Sequence, residues 1–176
     1  MFRNDTELVP RAHFIAAMRK VASSVTVVTT DGVKGLHGST VSAFSSVSAD
    51  PPTVLVCLFA QSRIARAVSA NGTFCVNVLS ENDAEIADRF AGRHDHLVAD
   101  RFSGINCYGA AGVAPQIDGA TAFRCVLQQT VHSGSHLIVL GHVREVLASN
   151  TSPLAYRDGS YHRVMPQSKP AIAAAT

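Results

Sequence analysis

The period of the apolar positions changes several times along the chain. Between Arg11 and Ala22, Phe14, Met18 and Val21 recur at i, i+4 and i+7 directly after Pro10, which predicts a helix whose single apolar stripe packs on the body of the protein. Val25 to Thr30 is β-branched throughout and reads as a strand. A turn punctuated by Gly32, Gly35 and Gly38 follows, and Ser39 to Val47 predicts the returning strand. Asp50-Pro51-Pro52 cannot continue a central strand because two backbone donors are missing, so Thr53 to Phe59 is a fresh strand after a turn. Ser62 then opens a short helical pattern with Ile64 and Val68 on one face, and Asn71-Gly72 stops it as a C-cap does.

Thr73 to Leu79 is the next strand. Ser80 with Asp83 three residues on resembles a capping box, leading into a helix with Ile86 and Phe90 at i, i+4 that ends at Gly92. Arg93 to Ala120 has no clear period and several turn residues, which predicts a long functional loop with some local structure. Phe123, Cys125 and Leu127 alternate with Arg124 and Gln128, so a half-buried strand runs to about Val131. His132-Ser133-Gly134-Ser135 turns it back along His136 to Leu147. Asp158-Gly159 is a turn signal before a last short strand, Tyr161 to Val164, and the Pro- and Ala-rich tail reads as unpacked and disordered from residue 166. Six or seven strands with two or three short helices and no βαβ alternation predict a mainly β fold: an antiparallel barrel with peripheral helices.

Composition narrows the classes. With 176 residues, 47% hydrophobic and 16% charged, the chain supports one substantial core, so residues 1–165 are expected to form a single domain. The net charge of +2 is small and Lys and Arg are scattered, which argues against nucleic acid as a partner. Apolar runs such as Thr53 to Ala60 fall far short of the roughly 20 residues a membrane helix needs. Asp5 and Glu7 stand where a signal peptide would be basic and then apolar, so a soluble, cytoplasmic protein without a membrane partner is expected. Cys57, Cys75, Cys107 and Cys125 are far apart with no CxxC pair and read as free thiols, without disulfides or structural zinc.

The common catalytic templates are missing: no GxxxxGK[ST], GxSxG, HExxH or strand-linked GxGxxG. His94-Asp95-His96 offers alternate imidazoles but no third ligand nearby and reads as a solvated loop, so no metal is expected. Ser135 and His136 are adjacent; as strand neighbours their side chains would point to opposite faces, which argues against a nucleophile-and-base pair and leaves His136 a turn residue satisfied by backbone. Gly38 to Ser48 concentrates hydroxyls on a strand bounded by turns. That offers alternating donors and acceptors of the kind a flavin's pyrimidine rim and ribityl chain require, although a plain Ser/Thr-rich edge strand has the same composition. Ser62 and Arg63 bring a hydroxyl, a cation and unpaired N–H groups to a helix N-terminus, where a phosphate or an ordinary cap fits.

The order of these segments carries more than any one of them. Phe14-(x)3-Met18, Val25-Thr26-Val27-Val28-Thr29-Thr30, Gly38 to Ser48, Asp50-Pro51-Pro52, Val76-Asn77-Val78-Leu79, Phe90-Ala91-Gly92, Gly134-Ser135-His136, Pro153-Leu154-(x)-Tyr156 and Gly159-(x)-Tyr161 together closely resemble the short-chain flavin reductases. These are the small components of two-component flavin-dependent monooxygenases, and the likeness runs from about Phe14 to Val164. It implies a homodimeric split β-barrel of the FMN-binding type that binds FMN or FAD, takes hydride from NADH or NADPH, and supplies diffusing reduced flavin to a partner monooxygenase. A flavin carrier or electron-transfer protein of the same fold, without NAD(P)H turnover, is the alternative.

By the same resemblance, Thr40, Val41, Ser42 and Ala43 are expected at the isoalloxazine rim, with Ser46, Val47 and Ser48 and Cys57, Leu58 and Phe59 beside it. Ser62 and Arg63 fall towards the phosphate, Arg89 and Phe90 close over that end, and Tyr161 flanks the groove. The family's Gly-Asp-His element, linked to nicotinamide binding, is here Gly134-Ser135-His136, which makes His136 the expected catalytic residue and replaces the carboxylate by a hydroxyl. Ser39 stands where methionine is usual.

Overall fold

The computed structural model describes residues 8–167. Most of the tail expected to be disordered, and the acidic Asp5 and Glu7, lie outside the described residues. The main body is a seven-stranded sheet, all antiparallel, in the order β3-β2-β6-β9-β10-β5-β4. Its strands are β2 (Thr26–Thr30), β3 (His37–Val41), β4 (Phe44–Ala49), β5 (Pro52–Phe59), β6 (Thr73–Val78), β9 (Thr121–Ser133) and β10 (His136–Leu147). The single strand expected over Ser39 to Val47 is two. It breaks at Ser42-Ala43, because the first half pairs with β2 and the second with β5, on opposite edges of the sheet. Both edge strands are therefore consecutive in the chain, and the Ala43 carbonyl accepts a bond from the Cys57 amide at 3.0 Å. Ser42-Ala43 thus carries the chain from one edge of the sheet to the other and brings the two edges together at this corner, as in a split barrel.

The interior of the curl is one apolar cluster that includes Val28, Val41, Val54, Val56, Leu58, Phe74, Val76 and Val139. Helix α2 (Arg63–Asn71) plugs it with Ile64, Ala65 and Val68. Its ends are local: the Ala65 amide donates to Ser62 Oγ at 3.2 Å, and Gly72 caps the last turn in the left-handed region. All five residues of β2 are buried, since its other face carries Val27 into a second cluster with Leu79, Ala87, Phe90, Ile117 and Leu154. Helix α3 (Ala84–Phe90) lies on that face, as does a three-stranded sheet of β1 (Ser23–Ser24), β11 (Leu154–Arg157) and β12 (Ser160–Arg163). The capping box holds in part: Asp83 accepts from the Ser80 amide at 3.1 Å, while Ser80 Oγ accepts from Asn82, one residue earlier than expected.

The stretch without a period contains one small hairpin, β7 (Cys107–Tyr108) and β8 (Gln116–Ile117). It docks through buried polar groups. Asn77 is fully buried, donating to the Val27 carbonyl at 3.0 Å and accepting from the Ile117 amide at 2.8 Å, and Thr29 donates to the Pro115 carbonyl. Helix α1 (Arg11–Met18) departs from expectation: it ends four residues early, and Phe14 (56%), Met18 (49%) and Val21 (50%) are exposed instead of packed beneath. The four cysteines are free thiols. No helix among the described residues is long and apolar enough to cross a membrane.

Candidate active site

A cavity of about 840 Å³ opens between the start of β3, the N-terminus of α2 and the segment after α3. Its chemistry is set by His37, Ser62, Arg63, Arg66, Asp95 and Arg101. Ser62 is placed by its capping role, and Arg63 and Arg66 lie three apart on α2 and so share a face. Arg101 reaches back to α3, donating to the Phe90 carbonyl at 3.0 Å. Three guanidinium groups and an imidazole around a helix N-terminus make a donor set suited to an anion. Gly38 forms part of the wall: a Cβ there would lie 2.5 Å from the Phe90 ring, which is fully buried and meets Phe102 edge-on with centroids 4.8 Å apart.

His136 sits one step beyond the cavity's Gln61 edge. The Ala60 amide donates to the Ser135 carbonyl at 3.0 Å, the Ser62 amide donates to the Phe59 carbonyl at 2.9 Å, and the Phe59 and His136 rings lie edge to face at 6.1 Å. The turn is tighter than expected, only Gly134-Ser135, with Gly134 at φ 55 as the first central residue of a two-residue hairpin. That corrects the reading of Ser135. It is a turn residue, not a strand neighbour of His136, and its hydroxyl lies 3.0 Å from His136 Nδ1.

The other expected residues divide into three groups. Ser42 and Ala43 are exposed at the corner, Ser46 and Val47 along the edge strand β4, and Phe59 at the end of β5. Val41 and Leu58 turn their side chains into the core, so only their backbone faces outward, and Cys57 is half-buried. Thr40 donates to the Ala87 carbonyl at 2.6 Å and Ser48 to the Asp50 carbonyl at 2.9 Å, which commits both hydroxyls.

Phe90 supports the wall from inside instead of closing over it. Arg89 points away, donating to the Ser103 carbonyl with its Nε buried and unpartnered. Tyr161 belongs to the second cluster, where its hydroxyl donates to Asp88; burial and then this bond push its phenol up to about 12. It does not line the cavity. Conversely, His37, Arg66, Asp95 and Arg101 were missed. The three-residue spacing from Arg63 pointed to Arg66, but nothing local marked Arg101 in a segment without a period.

Among the described residues no three His, Cys, Asp or Glu side chains group as metal ligands. The curled antiparallel sheet, with a helix N-terminus and a basic cavity beside it, defines a split-barrel protein whose cavity has a donor set suited to an anionic small molecule. The family model described as "Flavin reductase like domain" matches residues 18–165, and the chain belongs to this family. FMN reductase (NADH) RutF of Ancylobacter novellus is 37% identical over 89% of this chain and 86% of its own length. The NADH:FAD oxidoreductase of Streptomyces globisporus C-1027, solved with NAD and FAD fragments, superposes with a TM-score of 0.82 at 28% identity, covering 93% of this chain and all of that one. Nitrilotriacetate monooxygenase component B of Mycobacterium thermoresistibile superposes at 0.80 with 27% identity, over 94% and 96% of the two chains.

Proposed function

We propose that this protein is an NADH-dependent flavin reductase that takes up FMN or FAD, reduces it and releases it to the oxygenase component of a two-component system. The observation that carries the reading is the basic cavity between the start of β3 and the α2 N-terminus, whose Gln61 edge adjoins Ala60, the residue whose amide donates to the Ser135 carbonyl next to His136. A flavin's phosphate end matches His37, Ser62, Arg63, Arg66 and Arg101, and the exposed Ser42-Ala43 corner suits the ring. With both substrates bound, hydride passes from nicotinamide C4 to flavin N5.

The protein's part is placement and charge. Backbone amides around Val41 to Ala43 would hold the pyrimidine edge of the ring and supply donors to the negative charge that collects there on reduction. His136, steadied by Ser135, orients the nicotinamide, and Phe59 keeps water from that side. NADH is the donor named for the FMN reductase relatives.

We further infer a homodimer. Phe14, Ile15 and Met18 on α1 form an exposed apolar face that a second copy would cover, and Val47 on β4 and Phe59 at the end of β5 are exposed as well. Sedimentation equilibrium tests this, with a monomer at micromolar concentration as the contrary result. The activity is tested by following NADH absorbance with FMN, FAD and riboflavin in turn. Sustained oxidation with any of them supports the reductase, whereas flavin binding without oxidation under every pairing points to a carrier of the same fold.

A further inference from the structure

The basic cavity already contains an anion of its own. Asp95 accepts from Arg101 Nε at 2.8 Å and from Arg101 Nη2 at 2.6 Å, a two-pronged pairing of the kind a phosphate would make. The pair is built into the turn after α3. Gly92, at φ +84, leaves room for it, and a Cβ there would lie 2.7 Å from Arg101 Nη2 and 3.1 Å from Asp95 Oδ2. Arg63 stands near enough to add to the pull on the same carboxylate, although the bond from Arg101 is the main reason its carboxyl lies below the usual range. Arg63 and Arg66 make no ion pair of their own among the described residues.

We propose that Asp95 is a resident competitor for the flavin phosphate, setting how weakly phosphate-bearing flavins are held. This rests on the reading that the cavity takes the phosphate end of the flavin. A phosphate can engage Arg101 fully only if both bonds to Asp95 break; if they persist, the carboxylate repels the incoming charge. Either way the affinity falls for FMN and FAD and is untouched for riboflavin, which has no phosphate. The side chains are partly exposed, 52% for Asp95 and 32% for Arg101, so solvent moderates the effect. The consequence suits a reductase whose product must leave for another enzyme, because lower affinity among related complexes is mostly faster release.

The test is titration of the purified full-length protein with FMN and with riboflavin, by flavin fluorescence, for wild type, Asp95→Asn, Asp95→Glu and Arg63→Gln. Asp95→Asn is expected to tighten FMN by about fivefold while riboflavin stays within about twofold, and to steepen the salt dependence of FMN binding. Asp95→Glu keeps the anion and should keep the wild-type ratio of FMN to riboflavin affinity. If Asp95→Asn leaves that ratio unchanged while Arg63→Gln lowers it, the cavity reading stands and the competitor role falls. If Arg63→Gln also leaves it unchanged, the cavity does not take the phosphate and both fall. Equal weakening of both flavins by Asp95→Asn makes Asp95 merely structural and overturns the proposal. Asp95→Ala substitutes if the asparagine variant does not fold.

Discussion

Gly38 is where the packing of the barrel and the wall of the cavity are the same atoms. An added methyl would sit 2.5 and 2.8 Å from two carbons of the Phe90 ring and 3.0 Å from Phe102. Phe90 is fully buried and braced edge-on by Phe102, so neither ring can swing aside without disturbing the second core cluster. Overpacking of this kind costs about 1–3 kcal/mol. Gly38 does not have a positive φ, so alanine fits the backbone and recovers roughly 0.5–1 kcal/mol by restricting the unfolded chain.

The net expectation for Gly38→Ala is a loss of about 1–2 kcal/mol, read as a Tm drop of roughly 2–8 °C for a chain of this size. Flavin affinity should weaken with it, because the displaced Phe102 also lines the cavity. Trimming the obstructing ring in a Gly38→Ala/Phe90→Leu double variant should recover at least ~0.5 kcal/mol relative to the sum of the single effects. Thermal unfolding of all four proteins decides the matter. A Gly38→Ala variant as stable as wild type, or a double variant that is simply additive, would refute the reasoning.

His136→Ala should raise the KM for NADH by about tenfold and lower kcat while the flavin dissociation constant stays within about twofold; unchanged steady-state kinetics would remove His136 from the site. Tyr161→Phe removes the hydroxyl given to Asp88, which keeps Arg93 at 3.0 Å, and should cost ~1 kcal/mol at neutral pH. Because the folded phenol is raised from 10 to about 12, its contribution is complete below pH 10 and lost as pH rises through 12, so denaturation curves of the two proteins should converge over that window. Brief alkylation of the native protein followed by mass spectrometry should label Cys57 and Cys107 before Cys75 and Cys125. The latter two are buried, and burial is the main reason their thiols are pushed up to about 12; early modification of either would contradict this packing.

Features that depend on a few neighbouring residues were legible without coordinates. Ser62 capping α2, Gly72 ending it, the Asp158-Gly159 turn and the alternation through Phe123, Cys125 and Leu127 each express a local rule of backbone geometry or one-sided burial. The ordered motifs reached further, to the family itself. What they left open was decided by pairing between distant segments. Ser39 to Val47 is one continuous β-prone run, and only its pairing with two different edges of the sheet breaks it at Ser42-Ala43. Ser135 met His136 because the hairpin turned in two residues instead of four.

The cavity shows the same division most clearly. Ser62 and Arg63 announced themselves through the helix they begin, whereas Asp95 and Arg101 come from a stretch with no period, positioned by buried bonds from Asn77 and Thr29 to its far end and by Phe90 and Gly92 at its near end. Local sequence determined which elements form and where they end, because backbone preference and burial period act over a few residues. Which side chains converge on one cavity was left to the tertiary structure, because that depends on long-range docking that no local pattern encodes.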